Sequence, residues 1–126
     1  VRDNKILARA HNEVLKSNNH TAHAELLAIR RAAKKLRRFD LSDCEIYSTC
    51  EPCPMCMGAI LWARINKLYY GCNRTDAGEI GFSDKSIYDF FKGKENDIPF
   101  SHFQINREAC LQLFRFWHNK EDKIQY

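Results

Sequence analysis

Two hydrophobic rhythms run through this chain. Between 23 and 38, Ala28, Ile29, Ala32 and Leu36 recur at helical spacing, while Arg30, Arg31, Lys34, Lys35, Arg37 and Arg38 fall mostly on the opposite side. That is the pattern of a helix with one buried stripe, and Thr21 is available as its cap. Short apolar runs bounded by turn residues predict strands over 5–10, 44–49, 67–72 and 102–105. Further helices are predicted over 53–63, with Pro52 and Pro54 at the mouth, over 84–91, and over the aromatic-rich 107–118. The stretches 18–21 and 73–83 read as loops, and 92–99 as a polar linker. Strands alternating with helices predict an α/β fold, helices covering a mixed sheet, with 1–126 forming a single domain.

The start is abrupt. Asp3-Asn4 is a hairpin-turn pair, but only Val1 and Arg2 precede it. This favours a first strand lying outside the sequence, which would leave a sheet edge and part of a pocket wall unfilled.

Composition adds boundaries rather than detail. With 126 residues, 44% hydrophobic and 29% charged, the chain has the make-up of one ordinary globular domain. No stretch is long and apolar enough to span a bilayer, and no signal peptide is visible, so no membrane partner is expected. The net charge of +4 is mild, and the basic helix face reads first as solvated surface. The alternative for those same residues is a phosphate-binding strip for nucleic acid. Six cysteines could suggest disulfides. However, Cys44, Cys72 and Cys110 sit in apolar surroundings as buried thiols would, and the others are spaced like metal ligands. A reducing, cytoplasmic setting follows.

The chemistry is concentrated in His23-Ala24-Glu25 and Pro52-Cys53-Pro54-Met55-Cys56, with 26 residues between Glu25 and Pro52. One imidazole and two thiolates make three ligands of a tetrahedral zinc and leave one position open for water. Cys53 and Cys56, three apart, share one face of a first helical turn, where the helix terminus favours thiolate. Glu25 is not needed as a ligand, and near the metal it suits proton transfer between the water and a bound base. Other readings stand beside this one. Cys53 and Cys56 could be half of a structural zinc site or a redox pair, and Cys50 could join them in a three-thiolate cluster. Glu51 reads as a partner for free helix N–H groups.

These two motifs together form the H-x-E…P-C-x-x-C signature of zinc-dependent nucleobase deaminases, and the chain resembles the cytidine deaminase superfamily. Within it, Thr21 to Glu25, Cys50 to Cys56, and Thr75 to Asp84 continuing to Ile87-Tyr88 resemble the bacterial guanine deaminases, with the likeness running from residue 1 to Tyr126. The resemblance implies a three-layer α/β/α fold whose first helix and strand this sequence lacks. It implies one zinc per chain and hydrolysis of guanine to xanthine and ammonia. A guanosine deaminase, a tRNA adenosine deaminase and an inactive zinc-binding scaffold remain as alternatives. By the same resemblance Asp84 is a second proton-transfer group, where the residues alone suggest a helix N-cap. Asn12, the backbone of Ala24, Trp62 and Tyr126 are implied substrate contacts. On the residues alone, Asn12 is a turn residue, Trp62 a core residue and Tyr126 a frayed end. The implied partners are a small purine base and a second copy of the chain, with exchange of the C-terminal segment; nucleic acid is not expected. The cluster Phe114, Phe116 and Trp117 reads as core or dimer interface.

Overall fold

The elements follow one another as α1 (Val14–Ser17), α2 (Ala24–Leu36), β1 (Glu45–Cys50), α3 (Pro54–Trp62), β2 (Lys67–Cys72), α4 (Arg74–Glu79), α5 (Lys85–Phe91) and α6 (Arg107–His118). They come from a computed structural model that describes residues 1–93, 100–122 and 124. β1 and β2 pair in parallel, Glu45 opposite Lys67 and Tyr47 opposite Tyr69, and α3 is the crossover that a parallel pair requires. The core lies where this βαβ unit meets α2. Leu41, Cys44, Ile46, Ile60, Ala63 and Ile65 are buried there, and Ile29, Ala32, Ala33 and Leu36 of α2 pack onto them. The apolar stripe read from the sequence is therefore the face α2 presents to the sheet, and the six basic residues between 30 and 38 are all exposed. α2 stops when Arg37 turns left-handed at φ 54° and returns its N–H to Ala33 and Lys34 carbonyls.

Several exposed cations of α2 and the turn after it bind the chain to itself. Arg31 donates to the Glu13 carboxylate at 2.9 Å and to the Arg9 carbonyl at 2.7 Å. Lys35 reaches the Leu7 carbonyl at 3.3 Å, and Arg38 pairs with Asp43.

The structure departs from the sequence reading at identifiable places. The α/β class holds, but the expected mixed sheet is a two-stranded parallel sheet among the described residues. Segment 5–10 is not a strand; its one ladder contact is the antiparallel bridge Arg2–Lys5 across Asp3-Asn4, whose φ values of 49° and 57° suit a hairpin turn. Segment 102–105 is not a strand either, because no strand among the described residues lies beside it. The 73–83 loop contains α4, started by a reciprocal capping box between Asn73 and Asp76. Thr21 does not cap α2: the helix begins at Ala24, beyond its reach, and its hydroxyl donates to Asn19 instead. Cys44 is buried, and burial pushes its thiol pKa up, whereas Cys72 and Cys110 are exposed. Of the linker expected over 92–99, residues 94–99 lie outside the described residues.

The β1–β2 pairing steps over Thr49 and Gly71. A Cβ placed on Gly71 would stand 2.9 Å from the Thr49 carbonyl oxygen, closer than backbone tolerates, so glycine is required for the strands to meet just before the cysteine motif. Gly71→Ala is expected to destabilise the fold by about 1–3 kcal/mol, lowering the melting temperature by several degrees. A thermal melt unchanged by this substitution would show that the strands are not in close contact here.

Candidate metal and catalytic site

Two helix N-termini converge to make the site. His23 is the N-cap of α2 and Cys53 the N-cap of α3, both with extended backbone, and Cys56 follows in the first turn of α3. Pro54 opens α3 at a position where its missing N–H costs nothing. The packing of α2 and α3 on the same core brings His23 Nδ1 to 3.6 Å from Cys53 Sγ. The imidazole nitrogen and the two sulfurs all lie within 4.8 Å of one another, and this is the one such grouping among the described residues. Cys50 stays out of it; its thiol turns to the Asn73 carbonyl at 3.8 Å. The three-thiolate alternative is thereby removed, and the cluster keeps one nitrogen and two sulfurs.

This donor set fits a zinc ion. Its atoms are the nitrogen–sulfur type zinc prefers, three in number and close enough to share one ion, and three protein ligands leave a position for water. The local electrostatics already separate the two thiols. A hydrogen bond from Cys56 and the backbone N–H of Cys56 bring the Cys53 thiol down to about 6 against the opposing effect of burial. The Cys56 thiol is pushed up by that same hydrogen bond, by burial and by the Glu25 carboxylate beside it. Glu25 is half-buried in the first turn of α2 and near enough to raise the pKa of the Cys56 thiol, so it stands beside the metal cluster without belonging to it.

A second group of residues reaches the motif from α4 and α5. Glu51, directly before Pro52, accepts the first N–H of α4 from Arg74 at 3.0 Å. It does satisfy a free helix N–H, although of α4 and not of α3. The Arg74 guanidinium lies 4.7 Å over the Tyr88 ring. Burial raises the Tyr88 pKa, and the nearby Asp84 and Glu51 carboxylates raise it further. Asp84 is close enough to Tyr88 to bear on its ionisation. It occupies the N-cap position of α5 but makes no capping hydrogen bond, so the helix-cap reading of its side chain fails. Sequence reasoning missed Arg74 and Tyr88 as connectors; the Asn73–Asp76 capping box was the available signal, because it fixes where α4 begins.

The remaining candidates divide. Ala24 adjoins Glu25 at the start of α2 and lines the same cavity. Asn12 is exposed, and its side-chain oxygen accepts the Val14 N–H at 3.0 Å, as a turn residue would. Trp62, at the end of α3, is 68% exposed and therefore not core. Tyr126 lies outside the described residues.

Residues 1–72 match the model of the cytidine and deoxycytidylate deaminase zinc-binding region. The chain is 44% identical over 128 residues to the guanine deaminase of Bacillus subtilis, covering 100% of this chain and 81% of that protein. A solved structure of Bacillus subtilis guanine deaminase superposes with a TM-score of 0.85 at 44% identity, over 100% of this chain and 80% of that one. The tRNA-specific adenosine deaminase of Buchnera aphidicola is 32% identical over 116 residues, 92% of this chain and 75% of that protein. This chain belongs to the cytidine and deoxycytidylate deaminase family and has its fold. It is a zinc-dependent hydrolase.

The protein purified without chelators is expected to carry one zinc per chain, with zinc–sulfur distances of about 2.3 Å. His23→Ala, which removes the only nitrogen donor of the cluster, should abolish stoichiometric retention. Metal analysis and X-ray absorption read both; a zinc bound by four protein ligands would exclude the open position.

Proposed function

We propose that this chain hydrolyses guanine to xanthine and ammonia, with His23, Cys53 and Cys56 holding the zinc. The observation that carries the reading is the position of Glu25, a carboxylate against the Cys56 sulfur but outside the ligand set. Identity of 44% to a guanine deaminase along the whole chain supports guanine as the base. In the overall reaction the C2–N bond of guanine breaks, a C2–O bond forms and the amine departs as ammonia. Bound zinc supplies Lewis-acid activation of the attacking water. Glu25 takes the proton from that water and delivers one to a ring nitrogen. Asp84, which caps nothing, protonates or orients the departing amine. Ala24 meets the ring through its backbone, and Trp62 supplies an aromatic face at the exposed end of the zinc helix. Asn12 retains its side-chain NH2 as a donor to the base, since its oxygen is committed to Val14.

The C-terminal part of this reading needs a second copy of the chain. Phe114, Phe116 and Trp117 of α6 are 70%, 72% and 45% exposed, which weighs against the core reading of this cluster and supports burial against a partner. We read the assembly as a homodimer with the C-terminal segment exchanged. Residues 1–126 act as a single deaminase domain. No helix among the described residues is long and apolar enough to cross a membrane. All six cysteines are free thiols, which supports a reducing, cytoplasmic setting. Three of the six cations of the would-be phosphate strip, Arg31, Lys35 and Arg38, are committed to groups of this chain, which weighs against action on tRNA.

Ammonia release across guanine, guanosine, adenine, cytosine and cytidine tests the substrate; release from guanine alone is expected, and preference for a nucleoside would replace it with the guanosine reading. Glu25→Gln should retain zinc and lose at least ~10²-fold in turnover, the low end for a general acid–base group. Near-normal turnover in that variant would show that the proton moves by another route.

Asp84→Asn should also lose ~10²-fold or more of guanine turnover with little change in melting temperature, because no capping bond is lost. Full activity with an unchanged melt would remove Asp84 from the chemistry.

A further inference from the structure

The chain returns to the cysteine motif three times as it leaves β2. The Glu51 N–H donates to the Cys72 carbonyl at 2.8 Å, the Cys50 thiol meets the Asn73 carbonyl at 3.8 Å, and the Arg74 N–H donates to the Glu51 carboxylate at 3.0 Å. Asn73 and Asp76 close the first turn of α4 around that last bond. Asp76 accepts the Asn73 N–H at 2.7 Å, and Asn73 accepts the Thr75 and Asp76 N–H groups at 2.8 and 3.1 Å. The start of α4, of which Arg74 is the first residue, is therefore fixed against Pro52-Cys53 by backbone and capping bonds. For α5 the case is different: among the described residues, no backbone hydrogen bond joins 85–91 to another element. Side chains decide where α5 lies. The Arg74 guanidinium crosses to it, 4.7 Å over the Tyr88 ring. Tyr88 and Asp84 are one turn apart and both half-buried, whereas Lys85, Ser86 and Ile87 between them are exposed. The Tyr88 N–H donates to the Asp84 carbonyl at 3.3 Å. The ring that receives the guanidinium and the Asp84 carboxylate thus belong to one turn and one side of it.

We infer that Arg74 and Tyr88 are positioning residues, whose stack fixes α5 on α4 and so holds Asp84 in place relative to the zinc ligands; the inference rests on the reading of Asp84 as a proton-transfer group. A stack suits this task better than a simple ion pair. A planar guanidinium on a planar ring fixes separation and tilt together, where a point charge fixes distance alone. Asp84 needs such support, because its side chain makes no capping hydrogen bond and its place comes from the turn that carries it. The charges around the ring agree. Burial raises the Tyr88 pKa, the Asp84 and Glu51 carboxylates raise it further, and the Arg74 guanidinium opposes them. One cation and two acids therefore surround the same phenol, one acid from the cysteine motif and the other from the start of α5.

The test compares zinc-loaded Arg74→Ala, Tyr88→Leu and Tyr88→Phe with the unsubstituted chain, on whichever base of the panel releases ammonia. Arg74→Ala keeps the backbone N–H that Glu51 accepts, and Tyr88→Phe keeps the ring. Arg74→Ala and Tyr88→Leu should each lower kcat at least ~10-fold, since misplacement by an ångström can cost ~10²-fold, with KM and zinc content unchanged. Tyr88→Phe should keep most of kcat. Added to Asp84→Asn, Arg74→Ala should cost nothing further, because both remove the same step. A full further loss in that double variant would overturn the inference, since Arg74 would then act apart from Asp84. A raised KM at unchanged kcat would make Arg74 a substrate contact instead, and equal losses in Tyr88→Phe and Tyr88→Leu would replace the stack with the hydroxyl. One arm needs no substrate. Hydrogen exchange at the Tyr88 amide should quicken about 2- to 5-fold in Arg74→Ala, the worth of an exposed cation–π contact; unchanged exchange would show that the stack does not hold α5. Full activity of Asp84→Asn alone would sink the reading of Asp84 and this inference with it. A slow Asp84→Asn beside a normal Arg74→Ala would sink the inference alone.

Discussion

The packing of α2 against the β1–α3–β2 unit is the constraint on which the site depends. Neither helix carries a complete site; α2 brings the nitrogen and the carboxylate, α3 the two sulfurs. Ile29, Ala32 and Leu36 on one side, and Ile46, Ile60 and Ile65 on the other, fix the distance and rotation between them. An error of one helical turn in that seam is about 5.4 Å, larger than the 4.8 Å within which the donor atoms lie. The hydrophobic core is thus what makes the ligand geometry reproducible, and the chemistry adds only short side chains at the helix starts.

Placing ligands at helix starts has an electrostatic logic as well. N-terminal N–H groups and aligned peptide dipoles favour negative charge, and thiolate is the form a metal needs. His23 and Cys53 both hold extended backbone one residue before the helix, which aims their side chains across the helix mouth. The carboxylate that must remain unligated sits on α2, so its path to the cluster runs beside Cys56 and not through a ligand position.

The parts of this arrangement carried by local sequence were legible in advance. His23 and Glu25 lie two residues apart and Cys53 and Cys56 three, spacings a sequence displays directly; the two prolines mark the start of α3, and the α2 stripe has an unambiguous period. What was not legible depends on neighbours. Segment 5–10 has a strand-like composition but lacks strands to pair with, and 102–105 fails for the same reason. Cys72 and Cys110 have apolar sequence neighbours yet lie on surfaces, because burial is decided by packing and not by adjacency. Asp84 stands at an N-cap position without making the bond, a distinction of side-chain rotamer invisible to a pattern. The α4 helix was readable from Asn73 and Asp76, but its short length and its glycine suggested a loop.

The ligands His23 and Cys53 are 30 residues apart, whereas Cys53 and Cys56 share one turn. A zinc ion joining them acts as a clasp on a chain loop. By the chain-entropy relation used for covalent cross-links, closing a loop of that length is worth roughly 3–4 kcal/mol. The parallel strands already pair across 22 residues, Glu45 with Lys67, and the His23 clasp closes a second non-local loop onto them. Metal supply then bears on the refolding rate and on the lifetime of the folded state, and not only on whether the water is activated.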